Sequence, residues 1–111
     1  KKAQQMRALV TEDFRESFKN VDILISPTCP NTAFELGAKS SDPLSMYLTD
    51  IATISCNLAG LPGISVPAGF DSTGMPIGLQ ILAPQFEEAR LFNFAHRFEQ
   101  ENDFYTKLAN V

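Results

Sequence analysis

Tryptophan is absent from this sequence, histidine occurs once and cysteine twice. With His96 the one imidazole, a zinc site has too few good ligands. Cys29 and Cys56 lie far apart and outside any C-x-x-C spacing, so both read as reduced thiols of a cytosolic protein. A disulfide between them stays open, because sequence does not say whether they meet. Basic residues are few: nine Lys and Arg against thirteen Asp and Glu, a net charge of −4. Lys1, Lys2 and Arg7 are the densest group. Phosphate-backbone binding needs clustered cations, so direct nucleic-acid binding by this segment is not expected. No apolar run reaches the length of a membrane span, and KKAQQMRALV has no h-region of a signal peptide.

Familiar chemical motifs are missing too. There is no G-x-x-x-x-G-K phosphate loop. Ser65 sits in GISVP, which is not a G-x-S-x-G nucleophile elbow, and reads as a strand serine; Ser55 reads as a helix serine. His96 has no Cys or Asp at nucleophilic spacing and reads as solvated or partly packed. Neither cysteine has a neighbourhood that lowers a thiol pKa, so both read as packing residues.

What is present is an ordinary globular composition in 111 residues, 44% hydrophobic, enough for one core. Nine phenylalanines predict a core anchored by phenyl rings. Met6, Leu9, Val10, Phe14 and Phe18 recur at spacings of three and four and predict an amphipathic helix over 2–20. That helical pattern is already under way at the first residue, which suggests a piece of a longer protein. VDILIS, 21–26, reads as a strand buried on both faces. Pro27, Pro30 and Gly37 break the pattern and predict an irregular loop over 27–43, ending in Ser40-Ser41-Asp42-Pro43.

Helix returns over 44–59, with Thr49-Asp50 able to start a second helix as N-caps. Gly60 and Pro62 end it. GISVPAGF and PIGLQIL, joined by Asp71-Ser72-Thr73-Gly74, predict an antiparallel hairpin, with Pro67 marking an edge, a bulge or a strand end. Phe86, Leu91, Phe94, Ala95 and Phe98 predict a last helix that stops at Asn102-Asp103, followed by a loosely held tail. The order is helix, strand, helix, hairpin, helix. Three strands make a small sheet, and this fits a piece of a larger mixed sheet.

The runs NLAGLPGISVPAGF and MPIGLQILAP, 57–70 and 75–84, resemble the amidase-signature enzymes. VDILISPTCPNTAF, DPLSMYLTDIATI and FEEARLFNFAHRFEQ extend the resemblance over nearly the whole chain. DPLSMYLTDI is most similar to the glutamine-hydrolysing A subunits of tRNA-dependent amidotransferases. The resemblance implies an α/β fold, part of an α/β/α sandwich with a mixed sheet, and makes 1–111 the C-terminal part of one amidase-signature domain. Such enzymes hydrolyse amides with a Ser–cis-Ser–Lys triad in a Gly/Ser-rich region. That region is absent here, and Lys1 and Lys2 stand at an exposed helix end, so the segment alone is expected to be inactive.

The resemblance further implies ammonia supply for turning Glu-tRNA(Gln) into Gln-tRNA(Gln), and B and C partner subunits. Glutamine is then the small-molecule substrate, and tRNA is met only through a partner. It implies no cofactor in this chain, with ATP and Mg used by the partner subunit. Asp50 matches the family position that resembles a binder of the glutamine α-ammonium. A charge-assisted hydrogen bond there contributes about 1.5–3 kcal/mol net. The plainer reading of Asp50 is a helix N-cap, worth roughly 1 kcal/mol, and the two roles are compatible. Asn57 reads as a buried amide tying the Gly60-Leu61-Pro62 turn, Gly60 and Gly63 as positions of positive φ or close approach, and Gln80 as facing away from Leu79 and Ile81, with the cleft a second option. Two other functions remain open: an amidase-signature hydrolase of a neutral amide, or a non-enzymatic interaction segment. A carboxylate for an ammonium favours glutamine, since a neutral amide has no ammonium to bind.

Overall fold

The computed structural model describes residues 1–38 and 42–109. Helix α1 (Lys2–Ser17) leads to β1 (Leu24–Pro27), then α2 (Pro43–Leu48), α3 (Ile51–Ala59), β2 (Gly63–Phe70), β3 (Pro76–Leu82), α4 (Glu88–Glu101) and a 3₁₀ turn, Phe104–Thr106. The strands form one antiparallel sheet in the order β1-β3-β2. Both ladders within the chain are antiparallel; a mixed sheet would need strands beyond these three.

Register sets the two faces. Ile25, Ile81 and Ile64 form one row across the sheet, and Ser26, Gln80 and Ser65 the next. Side chains alternate between faces along a strand, so the isoleucine row and the polar row point opposite ways. On the isoleucine side Val66, Ile81 and Ala83 pack with Leu91 and Ala95 of α4, flanked by Ile23, Ile64, Leu79 and Phe98. On the other side Gln80 reaches the first turn of α3, and α1 lies on α3, with Arg7 Nε donating to the Leu58 carbonyl at 2.8 Å. The result is helix, sheet, helix.

Several boundaries moved for local reasons. The helical stretch expected over 44–59 divides at Thr49-Asp50, the pair able to start a second helix. Thr49 Oγ1 folds back onto the Met46 carbonyl at 2.6 Å, and Asp50 leaves helical geometry at φ −98°, ψ 4°. The Asp50 carbonyl then accepts the first bonds of α3, from the Thr53 and Ile54 amides, both at 3.0 Å. The end of α3 is a Schellman turn: Gly60 is left-handed at φ 67°, Leu61 N–H reaches the Cys56 carbonyl and Gly60 N–H the Asn57 carbonyl. The hairpin is as expected. Pro67 fits two of its three alternatives, since β2 is an edge strand and its register slips between Pro67 and Gly69, while the strand itself runs on to Phe70.

Four expectations are corrected. Among the described residues no phenylalanine is buried; the core is Ala59, Val66, Ile81, Leu82, Ala83, Leu91 and Ala95. A single thin sheet leaves a shallow core. Helix α4 buries Leu91 and the small Ala95 against it, while Phe92 stays exposed and Phe86, outside the helix at φ 65°, is 90% exposed. Strand β1 starts at Leu24, not Val21, and is an edge whose one partner among the described residues is β3; on the sheet face Ile25 is 59% exposed. Helix α1 ends at Ser17, three residues early, in a turn through Phe18, Lys19 and Asn20. The tail is not loose throughout: Phe104–Thr106 packs on β2, with the Phe104 ring against Gly69. Ser40 and Ser41 of the loop and the last two residues of the tail lie outside the described residues.

The chain is flat, 44 × 41 × 17 Å, with a radius of gyration of 16.0 Å. A compact chain of this length has about 13 Å. Its accessible surface is 8147 Å², where a compact monomer of this mass shows about 6,100 Å².

Candidate functional site

Three pieces meet at the end of the sheet where β1 finishes. The first is loop 28–34. Its start continues the β1–β3 ladder, with Thr28 N–H donating to the Gly78 carbonyl at 2.9 Å. The second is the hairpin. Thr28 Oγ1 and Ser65 Oγ lie 2.5 Å apart over Gly78, where a Cβ would fall 2.7 Å from Thr28 Oγ1 and 2.9 Å from Ser65 Oγ. The third is the junction between α2 and α3. A cleft of 150 Å³ runs between this loop and the junction, lined by Cys29, Asn31, Thr32, Ala33, Phe34 and Thr49. A second cleft, of 430 Å³, uses the other side of the same loop with Ser65, Ile77 and Gly78.

Asp50 follows Thr49 directly. It occupies the N-cap position of α3, yet its side chain makes no capping bond, and the residue is exposed. The neighbouring helix behaves differently: Asp42 Oδ1 accepts from the Ser45 amide at 3.2 Å. The capping reading of Asp50 therefore holds for position and not for the bond that gives a cap its energy. What remains is an exposed carboxylate at the positive end of a helix dipole, one residue after Thr49 of the cleft wall.

The loop is pinned from below by a residue that sequence reasoning treated only as part of a turn. Asp71 accepts from Thr32 Oγ1 (2.6 Å), Thr73 N (2.8 Å), Thr73 Oγ1 (2.7 Å) and Met75 N (3.0 Å). The Thr32 and Thr73 hydroxyls, then the Met75 amide, hold its carboxyl well below the usual carboxylate range. The turn was legible from Asp-Ser-Thr-Gly; the Thr32 partner was not, because it comes from another element.

Other candidates separate. His96 is exposed on α4, across the sheet from α3, and meets none of these groups. Ser55 bonds back to the Ala52 carbonyl. Asn57 is corrected: it is exposed and its amide donates to the Thr53 carbonyl at 2.9 Å. The Gly60 turn is instead tied by the Cys56 thiol, donating to the Leu61 carbonyl at 3.2 Å, and by Gln85 Nε2 on the Ala59 carbonyl at 3.0 Å. Gly60 has the expected positive φ, and Gly63 the expected close approach, 2.9 Å from a Cβ there to Leu82 Cδ2. Both cysteines are free thiols; Cys56 packs and burial pushes its pKa up, while Cys29 is exposed and corrects the packing reading. An apolar groove of 270 Å³ between α1 and Leu61, Pro84 and Gln85 sits at the far end of α3 and is not part of this site. Among the described residues no group of three or more His, Cys, Asp or Glu could hold a metal, and no helix is long and apolar enough to cross a membrane.

The amidase family model matches residues 1–92. This chain belongs to the amidase family. The A subunit of the glutamyl-tRNA(Gln) amidotransferase of Methylococcus capsulatus is 56% identical over 106 residues, 96% of this amidase chain and 22% of the relative. The crystal structure of the glutamyl-tRNA(Gln) amidotransferase A subunit from Thermotoga maritima superposes with a TM-score of 0.87 at 40% identity, over 91% of this chain and 22% of that one. A 6-aminohexanoate cyclic dimer hydrolase complexed with substrate superposes with a TM-score of 0.78 at 29% identity, over 94% of this chain and 24% of that one. The amidase chain thus spans about a fifth of the length of the curated relatives it matches and carries an α/β piece of the fold.

Proposed function

We propose that this chain is the C-terminal part of the amidase-signature domain of a glutamine-hydrolysing amidotransferase component. That component releases ammonia used to convert Glu-tRNA(Gln) to Gln-tRNA(Gln). Asp50 takes the α-ammonium of glutamine. The cation for the glutamine carboxylate and the Ser–cis-Ser–Lys triad come from residues outside this chain, so the chain alone is inactive. Two further subunits, B and C, complete a cytoplasmic heterotrimer, with tRNA, ATP and Mg handled by the partner; this chain holds no cofactor.

The observation that carries the reading is Asp50 itself. It directly follows Thr49 of the cleft wall, is exposed, and its carboxylate makes no bond of the kind a capping role would use. The identity of 56% over 96% of the chain to an amidotransferase A subunit supports glutamine as the amide. The excess surface, about a third above that of a compact monomer, supports a body built to be covered by the rest of its domain.

The test is glutamine hydrolysis by the full-length protein in its assembled complex, wild type beside Asp50→Ala, with a neutral primary amide as control. Loss of glutamine hydrolysis with the neutral amide spared supports the reading. Equal loss of both makes Asp50 structural. A protein that never uses glutamine but cleaves the neutral amide belongs to the second reading, a neutral-amide hydrolase, which the 6-aminohexanoate cyclic dimer hydrolase neighbour favours.

A further inference from the structure

Gln80 is the one buried polar side chain among the described residues, 6% exposed in the middle of the central strand. Both hydrogens of its amide are used: Nε2 donates to Ser26 Oγ at 3.2 Å and to the Ala52 carbonyl at 2.9 Å. Ala52 is the second residue of α3, two positions after Asp50. The two ends of α3 are held very differently. The C-terminal end has the Schellman turn, the Cys56 thiol, Gln85 on Ala59 and Arg7 on Leu58. The N-terminal end has no side-chain cap, and the helix before it breaks at Thr49 and Asp50. Among the described residues the Gln80 amide is the one hydrogen bond from the sheet to this first turn.

We propose that Gln80 is a positioning residue for Asp50. Its buried amide fixes the first turn of α3 against the central strand and so sets where the Asp50 carboxylate meets the ammonium of an α-amino-acid amide. The inference rests on the substrate-binding role proposed above for Asp50. A polar side chain in this place is costly without its bonds, and a larger apolar residue would fill the space as well. What an apolar residue lacks is a donor aimed at one backbone carbonyl. Ser26 shares the amide but lies on the strand, so the Ala52 bond is the one that matters for Asp50.

The experiment is a kinetic double-mutant cycle in the full-length protein within its complex: wild type, Gln80→Met, Asp50→Ala and the pair, each assayed with glutamine and with a neutral primary amide. Displacement of a binding group by a fraction of an ångström to an ångström is worth roughly tenfold to a hundredfold. Gln80→Met is expected to raise KM for glutamine about tenfold, leave kcat for glutamine and kcat/KM for the neutral amide nearly unchanged, and add nothing in the Asp50→Ala background. Ser26→Ala, which spares the Ala52 bond, is expected to leave KM for glutamine unchanged. Additive effects, or equal loss on both substrates, overturn the proposal and leave Gln80 a core brace. An Asp50→Ala protein that keeps the wild-type KM for glutamine overturns the binding role of Asp50, and with it the target of Gln80; that result appears in the single variant before the pair is read. Should Gln80→Met not fold, Gln80→Leu also removes both donors without adding a charge and is read by the same cycle.

Discussion

Thr32 and Asp71, thirty-nine residues apart, meet in a 2.6 Å hydrogen bond that joins the cleft loop to the hairpin turn. Four donors converge on that one carboxyl, and they favour its ionised form, so its folded pKa lies below the ordinary value. A group of this kind contributes stability that is fully present above its unfolded pKa, about 3.9, and is lost as pH falls through the lowered folded value. Asp71→Asn should lower the melting temperature at pH 7 and flatten its fall below pH 4. Melting temperature against pH for both proteins checks this; parallel curves would mean the carboxyl is not the group that titrates.

Gly60 and Gly63 should fail for different reasons. At Gly60 an added Cβ meets Gln85 Nε2 at 3.4 Å, an ordinary contact, but φ is 67°. Gly60→Ala should therefore cost about 1–2 kcal/mol through backbone strain, and Gly60→Asn, which tolerates this region, less. At Gly63 the strain is steric: a Cβ would lie 2.9 Å from Leu82 Cδ2 and 3.0 Å from Cys56 Sγ. Asparagine there should be no better than alanine. Urea unfolding of the four variants separates the two cases.

The two thiols should differ in reactivity. Cys29 is exposed in the cleft loop, while Cys56 is half-buried, donates to the Leu61 carbonyl, and has its pKa raised by burial. A thiolate is the reacting form. In the folded 111-residue chain a maleimide should label Cys29 quickly and Cys56 only on unfolding. Mass mapping of labelled peptides over time reads this directly, and equal rates would contradict the packing of Cys56.

Much of this fold was legible because its signals are local. Alternation in Pro76–Leu82, the Asp71–Gly74 turn and the Gly60-Leu61-Pro62 stop each depend on a few adjacent residues, and each held. Phenylalanine content misled because composition says nothing about which face a ring occupies; the tight places went to Ala83 and Ala95 instead. VDILIS read as doubly buried because it is a continuous apolar run, and such a run does not say how many neighbours a strand has. Here β1 is an edge with Ile25 uncovered. At the site, Asp50 came from resemblance, whereas the Thr32–Asp71 and Gln80–Ala52 bonds span 39 and 28 residues and leave no mark on a sequence pattern.

Asp42 and Asp50 offer the sharpest comparison, since each precedes a helix and only one caps it. The Asp42 carboxylate accepts from the Ser45 amide, and the Asp50 carboxylate accepts from no amide of α3. Asp42→Ala should cost about 1 kcal/mol of stability, the usual worth of a cap, with no effect specific to glutamine. Asp50→Ala should cost less than about 0.5 kcal/mol, as for an exposed side chain without such a bond. If the carboxylate instead grips the ammonium, the same change removes a charge-assisted bond of about 1.5–3 kcal/mol, a loss of roughly ten- to a hundredfold in kcat/KM for glutamine. Chemical unfolding beside glutaminase kinetics on both full-length variants therefore gives opposite patterns for the two aspartates. A drop in stability for Asp50→Ala equal to that of Asp42→Ala would return Asp50 to the role of a cap.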